Sequence, residues 1–434
     1  MIKIKHFVPL SASLLLLSPM TMADNLADLE VQVNELKSEL QELKENTPRA
    51  SGRAGFIPIP GTDTDLRLYG VARAQVVYSI DSGFGASQAV TGAFNPGYGG
   101  VAWDGTPQAE RSGQLEFDAR ASRLGFETIT PSKFGNVRTL IETDFYGTGG
   151  SKLSTNAVSL RLRHAIVEVG PLLIGQYWSN STDLGSAPWL LDLGGPVGLP
   201  AVARVPQIRY THKPSDNHAL SFALEQSVQD FYGADGVSFG AGTSNISTNA
   251  IDESFELVTR YTYSNDWFRQ SFSAIGRKLT YDTGLPGERD SVFGYALTYQ
   301  GKFSTVGRSN VYYSGTYSDG ANNYITQQNT SSAILENDEL YKVKAYGINI
   351  GYTQAWKPNW TSTFNLGMKE VDIPENTAPH GQTVSSSKSF FSNLMWNPMP
   401  NATLAIEYQY AEIENDDGDE GSGQRVYLTS MYKF

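Results

Sequence analysis

Arginine is the residue best placed to do chemistry in this 434-residue chain. Arg73, Arg120, Arg161, Arg163 and Arg209 each lie in a stretch where apolar and polar residues alternate, and each is on the polar side. Around Arg73, the residues Leu66, Leu68, Ala72, Ala74, Val76 and Tyr78 share one face of a strand. Arg67, Tyr69, Arg73 and Gln75 share the other, because successive side chains of a strand point to opposite sides. A planar guanidinium holds a carboxylate through two parallel hydrogen bonds. Asp183 and Asp192 lie in one glycine- and proline-rich connection. A basic wall facing those two acids would set up a transverse field and favour the passage of anions. The competing arrangement pairs the arginines with Glu116, Asp118, Glu142 and Asp144 and weakens that field. Arg67 and Arg138 fall lower on their strands. Arg123 follows Ser122, where the alternation slips, so its side stays open.

Signals for catalysis are thin. Gly236-Val237-Ser238-Phe239-Gly240 matches G-x-S-x-G, but no helix follows, and a nucleophile elbow needs a strand-to-helix turn. His164, His212, His218 and His380 include no pair at the helical spacing of metal ligands. Asn415 to Glu420 is acidic but lacks the ligand spacing of a calcium loop, and a solvated loop explains it. We therefore expect no enzyme activity, no catalytic residue, no metal and no cofactor. With a formal charge of −12, the chain is a poor partner for nucleic acid, which needs a basic face.

The elements that position the arginines begin after an export signal. Lys3 and Lys5 precede an apolar run from Phe7 to Leu17, and Thr21-Met22-Ala23 offers small residues for a peptidase. Residues 1–23 thus read as a signal peptide, and its removal takes both lysines and moves the charge from −12 to −14. Leu26, Leu29, Val33, Leu36, Leu40 and Leu43 then form a heptad stripe, which predicts a coiled coil over residues 24–46. A helix this short is marginal alone and calls for partners; the stripe does not decide between dimer and trimer. Residues 47–63, with Pro48, Pro58 and Pro60, read as an extended linker.

From residue 64 to 434 the chain reads as strands and turns throughout. Sixteen candidates lie near 64–80, 112–128, 135–146, 157–169, 172–179, 204–213, 218–229, 253–264, 266–280, 291–303, 307–318, 341–355, 359–373, 386–397, 401–413 and 424–434. Short turns such as Gly170-Pro171 and Asn265-Asp266 alternate with long polar loops such as 81–111 and 230–252. That pattern predicts an all-β, 16-stranded antiparallel transmembrane barrel with apolar faces toward lipid and polar faces toward a wet lumen. An even strand count with a long first connection puts both termini in the periplasm. The last strand ends on Phe434, with Tyr432, Leu428 and Val426 on the same face, like the terminal signal used for barrel insertion. The connection 180–203 carries Trp189-Leu190-Leu191, too apolar for a free loop, which predicts that it folds into the lumen. Packing against a neighbouring subunit would bury Trp189 as well.

Several stretches carry a family resemblance: the leucine heptads directly after the signal, FIPIPGTDTDLRLYGVARAQVVY, SRLGFET, IETDFYG, LRLRHAIVEVGPLLIGQYWSN, and the final Phe434. Over the whole mature chain the sequence resembles the DcaP-like trimeric outer-membrane porins. The resemblance implies a trimer of 16-stranded barrels with an N-terminal periplasmic coiled coil in a Gram-negative outer membrane. It also implies passive uptake of small anions, dicarboxylic or aromatic carboxylic acids, past Arg73, Arg120, Arg161, Arg163 and Arg209. Lipid and lipopolysaccharide of the outer membrane are the expected surroundings. The alternatives are an enzyme built on a barrel and a structural or adhesive barrel with a blocked lumen.

Overall fold

Period-two alternation bounded by turn residues produces strands over most of the chain. The computed structural model describes residues 31–39, 52–81, 101–147, 158–232, 249–326, 331–377, 380 and 383–434. Contacts divide the chain into residues 1–66 and residues 67–434.

In the first unit, residues 31–39 form one helix whose side chains are all exposed, Val33 and Leu36 among them. The coiled coil expected over 24–46 is therefore not confirmed. Leu26, Leu29, Leu40 and Leu43 lie outside the described residues. In the same unit, Ile57–Pro58 pairs antiparallel with Asp65 and Leu66, and Arg53 holds the Asp65 carboxylate at 2.6 Å.

The second unit is a closed 16-stranded antiparallel barrel. Its strands are Asp65–Asp81, then one strand in two pieces, Ser112–Asp118 and Arg123–Ser132, followed by Gly135–Gly147, Ser159–Val169, Leu172–Trp178, Arg204–Ser215, His218–Glu225, Glu256–Ser264, Phe268–Asp282, Arg289–Ser304, Asn310–Asp319, Lys344–Lys357, Trp360–Asp372, Val384–Trp396, Ala402–Asn415 and Glu420–Lys433. Every strand pairs with its neighbour in sequence, and the seam is closed by Val71–Ser79 against Arg425–Lys433. The wall is thereby closed without a free edge, as a bilayer demands. The pleat points outward with its apolar side: Leu68, Phe117, Ile348 and Leu366 are exposed. It points inward with polar groups such as Gln75, Ser273, Thr298 and Gln409, which are buried. That inversion of a soluble core is what lipid outside and a polar interior require.

Two features depart from the simple pattern. The second strand, expected unbroken over 112–128, opens at residues 119–122. The fourth strand bulges where Glu142 pairs with His164 and Thr143 with Leu162, so Arg163 and His164 are both buried. Within the long loops, Phe231–Tyr232 pairs in parallel with Ala333–Glu336, which pairs with Glu339–Lys342, making a small second sheet.

Candidate functional site: a cross-tied lumen with unpaired arginines

The segment between the fifth and sixth strands is bonded to inward-facing groups on both sides of the barrel. At its start, Glu225 accepts the Asn180 N–H at 2.5 Å and the Ser179 hydroxyl at 2.8 Å. The Gln300 amide donates to the Ser181 carbonyl at 3.0 Å, and Arg260 donates to the carbonyl of Thr182. Asp183 caps the short turn Leu184–Ser186 and is clasped by Arg269 at 2.7 Å. Burial raises the Asp183 carboxyl, but Arg269 outweighs it and holds the group below the usual carboxylate range.

The far part of the segment lies against strands thirteen to sixteen and one. Asn393 donates to the Trp189 carbonyl at 3.2 Å. Glu407 accepts the N–H groups of Leu191 and Asp192, and Arg425 pairs with Asp192 at 2.6 Å. Arg73 donates to the Leu191 carbonyl. Leu190 and Val197 pack on Phe391, Ala411 and Ile413 of the wall. Gly198, at φ +74°, rests on strand thirteen so closely that a Cβ would meet the Met368 carbonyl oxygen at 2.0 Å. The segment then pairs with a second loop, Thr326 N–H to Leu199 and Ala201 N–H to Tyr324.

That second loop and the one before strand eight are locked by Arg277. Its guanidinium is fully buried and meets Asp230 at 2.6 Å and Glu256 at 3.1 Å, while Ser332 and Asn323 accept from it. Around this cluster Phe231, Leu279, Tyr281, Leu335 and Leu340 pack together. The inward faces of strands nine to twelve are covered in consequence: Ser273, Ala296, Ser318 and Ala345 have no exposure.

Partial exposure survives on the wall of strands two to six, where most of the expected arginines stand. Arg120 pairs with Asp118 at 3.0 Å and lies 5.0 Å over the Tyr146 ring. Arg161 grips Asp144 through two bonds of 3.0 and 2.7 Å and also lies over the Tyr146 ring, at 5.1 Å. Arg163, buried, joins Glu142 at 2.6 Å and Asp144 at 2.9 Å. Arg120 is thus compensated by a carboxylate of its own strand, and Arg161 and Arg163 by carboxylates of the third strand. Arg209 stacks on Tyr177 at 5.4 Å. Asp183 and Asp192 do not face this wall as free acids; Arg269 and Arg425 use them to tie the loop.

Among the described residues, Arg73, Arg123, Arg204, Arg209 and Arg260 have no carboxylate within the 4.0 Å of an ion pair. Arg123 pairs across the ladder from Asp144, so it takes the inward side that the sequence leaves open. Arg204 stacks on Trp178 at 4.6 Å, within electrostatic reach of Arg163, Arg161 and Arg123. Arg204, Arg260, Arg269, Arg277 and Arg425 are the functional residues that sequence reasoning missed. Ser238 of the G-x-S-x-G motif lies outside the described residues, and Asn415 to Asp419 closes on itself as a turn.

A profile of the family described as DcaP outer membrane protein matches residues 29–434. The chain belongs to that family. It is an outer-membrane β-barrel of the Gram-negative envelope. Solved structures agree on the fold. The outer membrane channel DcaP of Acinetobacter baumannii superposes with a TM-score of 0.71 at 20% identity, covering 86% of this chain and 97% of that one. OmpF of Salmonella typhi, solved in complex with daunomycin, gives 0.52 at 10% identity over 86% and 98%. OmpT of Vibrio cholerae, in its trimer form, gives 0.51 at 10% identity over 86% and 99%. A search of curated proteins finds no match.

Proposed function

We propose that this protein is a passive outer-membrane channel for small hydrophilic solutes with a preference for anions. One observation carries the preference: Arg123, Arg204 and Arg209 stand at the partly exposed wall without carboxylate partners. A guanidinium and a carboxylate ~4 Å apart attract by up to about 4 kcal/mol at an effective dielectric of ~20, before desolvation is counted. The net attraction must be much smaller, since a conducting pore needs several weak sites instead of one tight one. Arginines spread over strands two to six provide such a series, and Tyr146, Tyr177 and Trp178 hold the guanidiniums in place by cation–π contact. The excess of acidic residues in the whole chain does not oppose this. Acids such as Asp416 and Asp417 face bulk solvent, where charge is screened over ~8–10 Å.

We place both termini in the periplasm, the heptad stripe as a coiled coil there, and three copies in the assembly, in line with the trimer form of OmpT. Dicarboxylic and aromatic carboxylic acids suit the paired guanidinium and ring surfaces, and the channel reported for DcaP of Acinetobacter baumannii supports a conducting barrel.

The test is the reversal potential across a KCl gradient in planar bilayers, for the wild type and for Arg204→Ala with Arg209→Ala. The wild type is expected to prefer chloride and the double variant to lose most of that preference. A wild-type preference for potassium would sink the proposal.

A further inference from the structure

Trp189 is an exposed aromatic on a loop tip that is otherwise buried. Leu190 and Leu191 beside it are 6% and 2% exposed, whereas Trp189 is 48% exposed. The segment is fastened to inward groups of the wall, so the open side of the indole faces the lumen. A wet passage gives no reason to display so large an apolar group, and an apolar surface shown beside polar groups marks a place of contact. The backbone that carries the ring is fixed: Asn393 donates to the Trp189 carbonyl at 3.2 Å, and Glu407 accepts the Leu191 N–H at 2.7 Å. A platform held this way loses little freedom when a solute settles on it.

Two cations stand at the same level of the wall. The Lys433 ammonium lies 4.8 Å from the centre of the Trp189 ring. Lys433 pairs in register with Val71, and a Cβ on Gly70 would meet the Arg123 carbonyl oxygen at 2.8 Å. Arg123, Val71 and Lys433 are therefore neighbours across strands two, one and sixteen. A strand spacing of ~4.8 Å puts the backbones of Arg123 and Lys433 about 10 Å apart. Among the described residues neither cation has a carboxylate within the 4.0 Å of an ion pair. The level belongs to the short-turn end of the barrel, where the Lys433 N–H bonds to the Asn401 carbonyl at 2.9 Å. Arg204 begins its strand at the long-loop end. A solute coming from that end thus passes Arg204 and Arg209 before it reaches Trp189.

We infer that Trp189 and Lys433, with Arg123, form a second subsite of the channel, and that Trp189 is the residue that sorts solutes of equal charge by whether they carry a flat aromatic ring. The ring of the solute stacks on the open indole surface. Its acidic groups meet the Lys433 ammonium and the Arg123 guanidinium, neither of which is engaged by a carboxylate of the wall. A saturated acid of the same charge meets the cations alone. The inference rests on the anion channel proposed above and adds the residue that chooses among anions.

The experiment records interruption of the KCl current through the full-length protein in planar bilayers. The probes are terephthalate and its saturated counterpart, trans-cyclohexane dicarboxylate, two dianions of similar length. We expect terephthalate to interrupt the current at about three- to tenfold lower concentration, the scale of one aromatic stacking contact. Trp189→Leu should bring the two probes within about twofold of each other, and Trp189→Phe should keep most of the difference. Lys433→Gln should raise the concentration needed of both probes, and Lys433→Arg should restore it. Equal block by the two probes in the wild type, an undiminished difference in Trp189→Leu, or unchanged block in Lys433→Gln overturns the subsite. The wild-type comparison and the lysine variants decide the matter even where Trp189→Leu fails to fold. Reversal potential in KCl alone separates the two readings. A wild type that prefers chloride but is blocked equally by both probes overturns this inference only, whereas one that prefers potassium overturns the anion channel with it.

Discussion

Glu407 holds the backbone of Leu191. The carboxylate, on strand fifteen, accepts the Leu191 N–H at 2.7 Å and the Asp192 N–H at 3.2 Å, across a sequence separation of more than two hundred residues. The side-chain amides of Asn393 and Gln409 complete the ring of donors around it at 3.1 and 2.7 Å. Glu225 does the same for the start of the segment at Asn180. Two carboxylates thus fasten one loop to two parts of the wall.

Removing one fastening should change the pore without unfolding the barrel. In Glu407→Ala, two buried N–H groups lose their acceptor, at a cost of about 1–3 kcal/mol each. Single-channel recordings should show larger and noisier currents, with heat-modifiable barrel still present in the membrane. Wild-type conductance in this variant would mean that Arg73, Asn393, Arg425 and the packing of Leu190 hold the tip without it.

The compensated arginines make a prediction of the same sign as the unpaired ones, with a stability cost added. Arg161→Ala with Arg163→Ala leaves Glu142 and Asp144 without their cations. The wall then loses two positive charges, as it does in Arg204→Ala with Arg209→Ala, and the reversal potential should likewise move toward potassium. Stability should fall by about 3–5 kcal/mol, as expected when a buried ion pair loses one side. Adding Glu142→Gln and Asp144→Asn should restore most of the selectivity. A reversal potential unmoved by the arginine pair alone would remove these residues from the conducting path.

Asp183 gives a pH test with a defined sign. Its folded carboxyl titrates below the ordinary range because Arg269 outweighs burial. A group lowered in this way contributes stability in full above its unfolded value of ~3.9 and loses it as pH falls through the folded value. Asp183→Asn should lower the temperature of heat modification at pH 7, and the gap to wild type should narrow below about pH 3.9. A gap independent of pH would show that the carboxylate's charge is not what fastens the loop.

Gly70 makes room for the chain terminus. Gly70 and Phe434 exchange both backbone bonds at 3.0 Å, and a Cβ on Gly70 would come within 2.3 Å of the Phe434 ring. Gly70→Val should displace the ring and reduce folded barrel in the outer membrane as much as deletion of Phe434 does. Normal levels of heat-modifiable protein in Gly70→Val would separate the terminal ring from assembly.

The strands were legible because period-two alternation survives locally, as in Ala345 to Tyr352, where every second residue faces out. The break before Arg123 showed only as a slip of alternation after Ser122, and the bulge at Arg163 not at all, since neither glycine nor proline marks it. The arginines and the carboxylates Asp118, Glu142 and Asp144 could be read as possible partners, but not which pairs with which. That Asp144 serves Arg161 and Arg163, while Arg123 opposite it stays unpaired, depends on register across three strands. Arg269 and Arg425 also fall on the inward side of their strands, so alternation could have marked them. Their pairing with Asp183 and Asp192 bridges distant parts of the chain, and no local pattern encodes it.

Closure of the wall at one seam has a consequence for how the molecule comes into being. Every ladder but one joins neighbours in sequence, which a growing hairpin array can zip up with little loss of chain entropy. The remaining ladder joins Val71–Ser79 to Arg425–Lys433 and must wait for the whole chain. Until it forms, two open edges exist at once, and each is a template for pairing with another molecule. The hazard of misassembly is therefore concentrated in a single late event, and the last ten residues govern when it ends.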